Sequence, residues 1–350
     1  GLYRYLNLVY LPKASFEQIR LEPELSANRK EGSVKVKASF YNPMDIRKAD
    51  VTVSVYDANR KQIFTQTIEN VLPLGNQFLT EVKVKNPVLW DVDSPNLYTC
   101  ELTINADGQT LTAEERFGFR QFEFQEKGPF FLNGRRLLLQ GTHRHEDHAG
   151  VAQAMTEDMM RTEMQLMKDM GVNFIRLGHY QQSDIILQLC DSLGILVWEE
   201  IPWCRGGLGG PVYKEQARRM LANMIDQHHN HPAVIIWGLG NENDWPNDFS
   251  EFDKGAIRTF MKELHDLAHR LDDTRMTAIR RCEFCSDIVD VYSPSIWAGW
   301  YRGVFTDYKS VSEQEMQKVK RFLHVEWGGD SHARRHSENV FANLKGIESG

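Results

Sequence analysis

Two glutamates of this chain directly follow apolar segments, where a carboxylate is unexpected. Glu242 comes shortly after AVIIWGLG at 233–240, and Glu326 comes after FLHV at 322–325. A carboxylate among apolar neighbours is costly unless it is paired or protonated, so these positions favour chemistry over simple solvation. Two carboxyl groups that face each other can cleave a glycosidic bond, one as proton donor and the other as a nucleophile that forms a covalent intermediate.

The elements that must position these glutamates begin near residue 130. Apolar runs alternate there with helical segments, and near-continuous apolar runs are typical of strands buried on both faces of a parallel sheet. The predicted strands are 136–141, 173–178, 195–200, 233–240, 276–281, 287–293 and 321–327. Capping residues and glycines predict helices that begin after Thr156, after Ser183, near 211 and near 250.

Polar residues cluster at the C-terminal ends of these predicted strands. They are His143, His145, Arg176, His179, Glu199, Glu200, Asn241, Glu242, Arg280, Arg281, Ser293, Ser295 and Glu326. A barrel gathers all such ends around one mouth, whereas an open sheet spreads them along an edge. No glycine-rich phosphate loop follows the first strand. The pattern predicts a TIM-barrel domain over 125–350 that lacks its last strand, as a fragment of a longer protein would.

The first half of the chain has a different period. Short segments alternate apolar and polar residues between turn signals, which predicts an immunoglobulin-like β-sandwich over 13–124 with a structural role. Its predicted strands are 33–41, 51–57, 62–68, 78–85, 97–104 and 115–124. Residues 1–12, GLYRYLNLVYLP, are predicted to be the end of a strand that belongs to a preceding domain.

Composition excludes several classes of protein. The net charge is -7 without a basic stripe, which argues against a nucleic-acid partner. No apolar run is long enough for a transmembrane helix, so we expect a soluble protein without a membrane partner. Five cysteines with one isolated C-x-x-C at 282–285 indicate neither a disulfide framework nor a zinc site. Cytoplasmic, periplasmic and secreted locations stay open, as does a homo-oligomer.

Four segments together resemble a known family. FFLNGRRLLLQGTHRHEDH at 130–148, the stretch 173–200, IIWGLGNEND at 235–244 and FLHVEWGG at 322–329 are similar to the catalytic domain of glycoside hydrolase family 2. That family holds β-galactosidases, β-glucuronidases and β-mannosidases. The resemblance implies that the first half is the family's immunoglobulin-like domain and that residues 1–12 are the tail of its N-terminal sugar-binding jelly roll.

The resemblance also implies roles for individual residues in a retaining exo-β-glycosidase. Glu242 is the expected acid/base and Glu326 the expected nucleophile. The expected substrate-binding residues are Asn241 for the sugar 2-hydroxyl, His179, His145, Arg176 beside the nucleophile, Glu200, Trp297 and Trp327. Trp297 stands where the family commonly has a tyrosine that hydrogen-bonds the nucleophile. Magnesium-dependent relatives have a histidine after strand three that 199–207 lacks, so no metal and no cofactor are expected.

Alternatives concern both the sugar and the class of protein. A β-galactoside is the first expectation on general similarity, while a β-glucuronide or a β-mannoside stays open. The H-x-H at 143–145 would also suit a metal-dependent amidohydrolase, but that chemistry needs histidine or lysine ligands after later strands, where Asn241 and Arg280 stand. A carbohydrate-binding barrel without catalysis is the third possibility.

Overall fold

The computed structural model describes residues 3–246 and 248–329. Antiparallel sheets form the first part of the chain, and a parallel sheet with helices forms the second. None of the helices in the described ranges has the length and apolar character needed to cross a membrane.

The first seven strands form a β-sandwich of two sheets. The strands are β1 (Ser15–Leu25), β2 (Glu31–Tyr41), β3 (Ala49–Tyr56), β4 (Gln62–Val71), β5 (Gly75–Lys85), β6 (Tyr98–Ala106) and β7 (Gln109–Phe117). Along strands such as β2, buried and partly exposed side chains alternate, as expected for a strand with one face in the core. One sheet has the order β1-β2-β5 and the other β4-β3-β6-β7, all antiparallel. Val34 and Val36 of β2 face Val51 and Val53 of β3 in one core, because side chains alternate between the faces of a strand.

One strand of the first half was missed, and one expectation about it was wrong. The missed strand is β1, because charged residues and Pro23 mask the alternation through which Ile19 and Leu21 point into the core. Residues 3–12 were expected to end a strand, yet they form no strand in the described structure. A strand requires partners for its backbone groups, and Leu6 and Leu8 are instead largely exposed to solvent.

A small antiparallel sheet leads from the sandwich into the second part. It contains β8 (Phe122–Phe124), β9 (Phe130–Leu132) and β10 (Arg135–Arg136) in the order β10-β9-β8. Because Arg136 pairs back onto Phe131, the first barrel strand begins later than the predicted 136–141.

The parallel sheet has six strands over the described residues. They are β11 (Gly141–Arg144), β12 (Phe174–Leu177), β13 (Leu196–Glu200), β14 (Val234–Asn241), β15 (Met276–Arg280) and β16 (Val291–Ser293), in sequential order. The helices are α1 (Glu157–Asp169), α2 (Asp184–Leu193), α3 (Pro211–His228), α4 (Lys254–Leu271) and α5 (Tyr308–Lys318). Sequential parallel strands with intervening helices form the curled sheet of a TIM-barrel domain.

The seventh predicted strand is only partly realised. Within 321–327 a single parallel bridge joins Phe322 to Tyr292 of β16. Val325 N then donates to the Ser293 hydroxyl at 3.1 Å, so a side-chain bond takes the place of a ladder bond. The segment nevertheless runs along the edge of the sheet and brings Glu326 to the end where β11 to β16 finish.

Helix boundaries follow the capping signals. The Thr156 hydroxyl accepts from Met159 N at 3.3 Å, and Gly194 ends α2 in the left-handed conformation that glycine adopts without strain. α3 matches its predicted range of 211 to 228. α4 begins at Lys254 instead of near 250, because the Asp253 carboxylate caps it.

Candidate active site

Glu326 lies between two buried arginines at the C-terminal end of the parallel sheet. Arg176, the third residue of β12, donates from Nη1 to Glu326 Oε2 at 2.9 Å. Arg280, the last residue of β15, places Nη2 3.0 Å from Glu326 Oε1. Each carboxylate oxygen therefore has one guanidinium beside it, and both arginines are almost completely buried. These contacts hold the Glu326 carboxylate from both sides, and a nucleophile must be positioned in this way to attack.

Arg176 is the centre of a hydrogen-bonded network inside the sheet. Its Nε and Nη2 donate to the Glu200 carboxylate at 2.8 to 3.1 Å, and Nη2 also donates to Asn241 Oδ1 at 2.8 Å. His179 Nδ1 lies 2.7 Å from Glu200 Oε1. Burial alone would raise the pKa of Glu200, but Arg176 and His179 hold it below its usual value. Glu200 thus fixes the orientation of both an arginine and a histidine. The Asn241 amide nitrogen donates one N–H to Cys204 Sγ at 3.3 Å and has a second N–H to offer another partner.

A glycine allows this network to close. A Cβ at Gly178 would lie 2.6 Å from His143 Nε2 and 2.9 Å from Glu200 Oε1, which is closer than real contacts of this kind. Any side chain at Gly178 would therefore displace the His143 ring and the Glu200 carboxylate from these positions.

Glu242 directly follows β14 and is held in an uncommon backbone conformation. Its φ of +54° lies in the left-handed region, which costs a non-glycine residue energy and is often found at functional sites. Its amide donates to Arg280 O at 2.9 Å, so the strained residue is fixed to the neighbouring strand. The carboxylate Oε1 accepts from Arg280 Nη1 at 2.6 Å and from Arg281 Nη1 at 3.3 Å. Arg205 Nε lies 3.7 Å from Oε2.

The charges around Glu242 decide its protonation. Burial raises the pKa of this carboxyl, but Arg280 and then Arg281 outweigh burial, and the net pKa lies below the usual value. A proton donor needs the opposite, so the arrangement suits Glu242 as a base and requires a change before it can act as an acid. A substrate that separates Glu242 from Arg280 would provide that change.

Three histidines form a cluster beside the Oε2 atom of Glu326. The rings of His143, His145 and His179 lie 4.7 to 5.1 Å apart, and His143 Nδ1 is 4.0 Å from Glu326 Oε2. Burial, followed by the charge of Arg176, lowers the pKa of His143 to about 2, so this ring is neutral. Their nitrogens lie within 4.8 Å of one another, as metal ligands would. Arg176 Nη2 is 3.1 Å from His179 Nδ1, however, and its charge opposes a cation there.

A cavity of about 350 Å³ opens beside Glu326. Its walls are Thr142, His143, Trp297, Trp300, Val325, Glu326, Trp327, Gly328 and Gly329. Trp327 is 65% exposed and forms the rim, while Trp297 is half-buried. Flat aromatic faces beside a carboxylate suit a pyranose ring, whose C–H groups pack against them.

Trp297 does not replace the tyrosine that the resemblance led us to expect. Within the described residues its indole nitrogen makes no hydrogen bond to Glu326. Its ring instead stacks between two guanidinium groups, with Arg281 at 5.1 Å and Arg302 at 5.5 Å from the ring centroid.

All nine candidate residues from the sequence lie at one end of the sheet. The contacts join Glu326, Arg176, Glu200, His179 and Asn241 directly, and Glu242 through Arg280. His145 packs on the other histidines, and Trp297 and Trp327 line the cavity.

Sequence reasoning did not select Arg280 and His143 as site residues, although the structure places both beside Glu326. The signal for both was a position at a strand end, which they share with residues that point elsewhere, and the H-x-H that contains His143 indicated a different chemistry.

Comparisons with known proteins agree with this geometry. The family model "Glycosyl hydrolases family 2, TIM barrel domain" matches residues 123–344, and "Glycosyl hydrolases family 2" matches residues 14–120. The crystal structure of Parabacteroides merdae β-glucuronidase is 82% identical, with a TM-score of 0.96 over 97% of this chain and 44% of that one. Bacteroides uniformis β-glucuronidase 3 is 59% identical, with a TM-score of 0.91 over 97% of this chain and 42% of that one.

A more distant relative carries a different name. The β-galactosidase of Thermoanaerobacterium thermosulfurigenes is 30% identical over 84% of this chain and 40% of its own length. The chain thus spans less than half the length of each of these proteins. Matches over both halves, together with the carboxylate pair at the barrel mouth, establish that the chain belongs to glycoside hydrolase family 2.

Proposed function

We propose that this chain carries the catalytic centre of a retaining exo-β-glucuronidase. The observation that carries the reaction is the pair Glu242 and Glu326, both held by one guanidinium at the barrel mouth. The sugar is supported by the similarity to the two β-glucuronidase structures, which are 82% and 59% identical.

The reaction proceeds in two displacements. Glu326 attacks C1 of the sugar while Glu242 gives its proton to the glycosidic oxygen, so the C1–O bond breaks and a glycosyl ester with Glu326 forms. Glu242, now ionised, takes a proton from water, and the resulting hydroxide attacks C1 and releases Glu326. The β configuration is retained, and the net change is addition of water across the bond.

The surrounding residues favour this sequence of protonation states. Arg176 keeps one oxygen of Glu326 in place, and Asn241, oriented by Arg176, offers its amide nitrogen to the 2-hydroxyl of the sugar. Once Glu326 is esterified its negative charge is gone. Arg280, which faced both carboxylates, then acts on Glu242 alone, which favours the ionised base that the second step needs.

The choice of sugar rests on the relatives and not on the charges of the mouth. Arg176, Arg205, Arg280 and Arg281 all lie within 4 Å of a catalytic carboxylate, and Glu200 and Asp244 also pair with them. Four carboxylates thus face the four guanidinium groups, so these contacts do not select between a charged and a neutral sugar, and the two β-glucuronidase structures favour the glucuronide. β-Galactoside, the first expectation from the sequence, therefore becomes the second candidate, supported by the 30% identical β-galactosidase.

The test is hydrolysis of matched aryl β-glucuronides, β-galactosides and β-mannosides by the full-length protein. We expect cleavage of the glucuronide and loss of activity in Glu242→Ala and Glu326→Ala. Azide should rescue the first variant as the β-glycosyl azide and the second, with an activated substrate, as the α-glycosyl azide. Glu215→Ala, at a 70% exposed position on α3, is the matched control and should behave as wild type.

The possible outcomes distinguish a wrong choice of sugar from a wrong assignment of the catalytic carboxylates. Cleavage of the galactoside with both variants inactive would keep the carboxylate pair and overturn the choice of sugar. Wild-type activity in either variant would overturn the carboxylate pair itself and direct attention to the three histidines.

A further inference from the structure

We infer that Arg280 is a positioning residue that takes over the role of the absent tyrosine beside the nucleophile and couples the two catalytic carboxylates. This inference rests on the proposed function, because it assigns Glu326 as nucleophile and Glu242 as acid/base. It concerns a residue that no sequence pattern had singled out as part of the site.

The first argument is the vacancy that Trp297 leaves in the hydrogen bonding of Glu326. An indole has one N–H donor and no hydroxyl, and this donor does not reach Glu326 within the described structure. Glu326 Oε1 would then lack a partner on the side away from Arg176. Arg280 Nη2 lies 3.0 Å from that oxygen and supplies an ion pair on this side of Glu326.

The second argument is the burial of Arg280. It is 1% exposed, so its charge is not screened by water and needs close anions. Glu242 and Glu326 are those anions, and both are contacted by the terminal nitrogens of the same planar group. A guanidinium is suited to this task because its nitrogens lie in a fixed plane, whereas a lysine offers one point charge.

The third argument is the contrast with the neighbouring Arg281. That side chain contacts Glu242 at 3.3 Å and Asp244 at 3.0 Å, and it stacks on Trp245. Only Arg280 contacts both carboxylates among the described residues. Removal of Arg280 should therefore affect the nucleophile, whereas removal of Arg281 should affect mainly the acid/base.

The experiment separates nucleophile and acid by the choice of leaving group. Departure of 2,4-dinitrophenolate needs no proton, so the rate of glycosyl-enzyme formation from that β-glucuronide reports on Glu326 alone, while phenyl β-glucuronide also reports on Glu242. The full-length protein is measured as wild type, Arg280→Met, Arg280→Lys, Arg281→Met, Glu215→Ala and the double variant Arg280→Met/Trp297→Tyr. Thermal unfolding is recorded for each variant.

We expect Arg280→Met to slow the dinitrophenyl reaction by about 100-fold, comparable to the loss of one preorganised donor at a reacting oxygen. Arg280→Lys should be slowed by about tenfold. Arg281→Met should slow the dinitrophenyl reaction much less than Arg280→Met does and should change mainly the phenyl reaction, while Glu215→Ala, outside the site, should keep the wild-type rate with both substrates. Trp297→Tyr in the Arg280→Met background should recover at least part of the lost rate, because a phenolic hydroxyl can then donate to Glu326.

Two results would overturn the inference. One is a wild-type dinitrophenyl rate in a folded Arg280→Met or, if that variant does not fold, in Arg280→Lys. The other is an equal loss in Arg281→Met, which would show a general effect of positive charge. Glu326→Ala is included in each assay: if it stays active the proposed function fails, and if it is inactive while Arg280→Lys is fully active only the role of Arg280 fails.

Discussion

The two ends of the parallel sheet bury the same residue type for different purposes. At the mouth, Arg176 and Arg280 direct their guanidinium groups at side-chain carboxylates. At the opposite end, Arg120 donates to the carbonyls of Pro232 and Val234, and Arg275 donates to the carbonyls of Val234, His229 and His231. Backbone carbonyls cannot change charge, whereas the proposed mechanism requires Glu242 and Glu326 at the mouth to do so.

The difference shows how a buried arginine can be recognised as functional. At the end opposite the mouth, which we call the lower end, most acceptors are backbone carbonyls whose charge does not change, and Arg275 also contacts Asp272 at 2.8 Å. Burial alone would raise the pKa of Asp272, but Arg275 holds it far below its usual value, so this pair is permanently ionised. Such a cluster stabilises the junction of barrel and sandwich, while the mouth uses the same chemistry to control protonation.

The largest expected effect comes from Arg176→Met. This change removes the guanidinium that donates to Glu326 Oε2 and leaves Glu200, which is fully buried, with only His179 and the Trp198 indole as partners among the described residues. We expect kcat/KM for the glucuronide to fall by more than about 1000-fold, as two donors to reacting or orienting groups are lost. Steady-state kinetics with the folded variant test this, and a loss below tenfold would contradict the assigned network.

Arg275→Met should lower the stability of the protein and leave its kcat unchanged, which is the reverse of what we expect for Arg176→Met. It leaves the buried Asp272 without its cation, which costs about 3 to 5 kcal/mol of folding free energy. The folded fraction should keep the wild-type kcat, because Arg275 lies at the end of the barrel opposite the mouth. Thermal unfolding and kcat measured on one preparation check this. A changed kcat with an unchanged melting temperature would remove the distinction between the two ends.

The predictability of the two ends from sequence also differs. Apolar runs, helix caps and glycine stops predicted the sandwich and the barrel topology, because these signals act over a few neighbouring residues. The positions of Glu242 and Glu326 at the mouth were predictable for the same reason, as each follows an apolar strand pattern, and their catalytic roles stay predictions. The first strand, β1, was missed because its pattern contains charged residues that pair across the surface, such as Glu22 with Lys37.

Arg280 could not be selected from the sequence alone. It stands beside Arg281, and the pattern does not say which of the two points inward. The choice depends on where β15 ends: Arg280 is its last residue and is buried, while Arg281 has a φ of +56° and turns away from the strand. The sugar was also beyond the reach of motif spacing, since one family fold serves several sugars with the same carboxylate pair.

A smaller effect is expected from His231, a charged residue of the lower end. Its nitrogens lie 2.6 Å from Asp191 and 3.2 Å from Asp184. Burial lowers its pKa, but Asp191 and Asp184 outweigh burial and raise it to about 10. A raised pKa contributes stability below the unfolded value of about 6.5 and loses it as the pH rises to about 10. Unfolding by urea should show a decline of about 2 kcal/mol over this window.

His231→Gln is the variant that tests the origin of that decline. A glutamine cannot lose a charge, so the variant should be less stable than wild type at pH 6 and should show a flatter pH dependence. His148→Gln, at an exposed position, is the matched control and should keep the wild-type slope. An unchanged slope in His231→Gln would assign the pH dependence to other groups.

The smallest expected effect concerns Arg281, whose charge faces Glu242 together with Arg280 and Arg205. Glu242 must be protonated for the first step, so the alkaline limb of kcat/KM for a phenyl glucuronide reports its pKa in the free enzyme. Arg281 lowers that pKa, and Arg281→Met should raise it. The alkaline limb should then move to higher pH by about half a unit to one unit, equivalent to about 1 kcal/mol.

Arg302→Met provides the control for this shift. Arg302 stacks on the same Trp297 ring as Arg281, so its removal disturbs the aromatic wall and leaves the cations at Glu242 in place. We expect the alkaline limb of Arg302→Met to coincide with that of wild type. A shift to lower pH in Arg281→Met would mean that better hydration of Glu242 in the variant outweighs the lost charge. Equal shifts in both variants would mean that the wall, and not the charge beside Glu242, sets the pH dependence at the mouth.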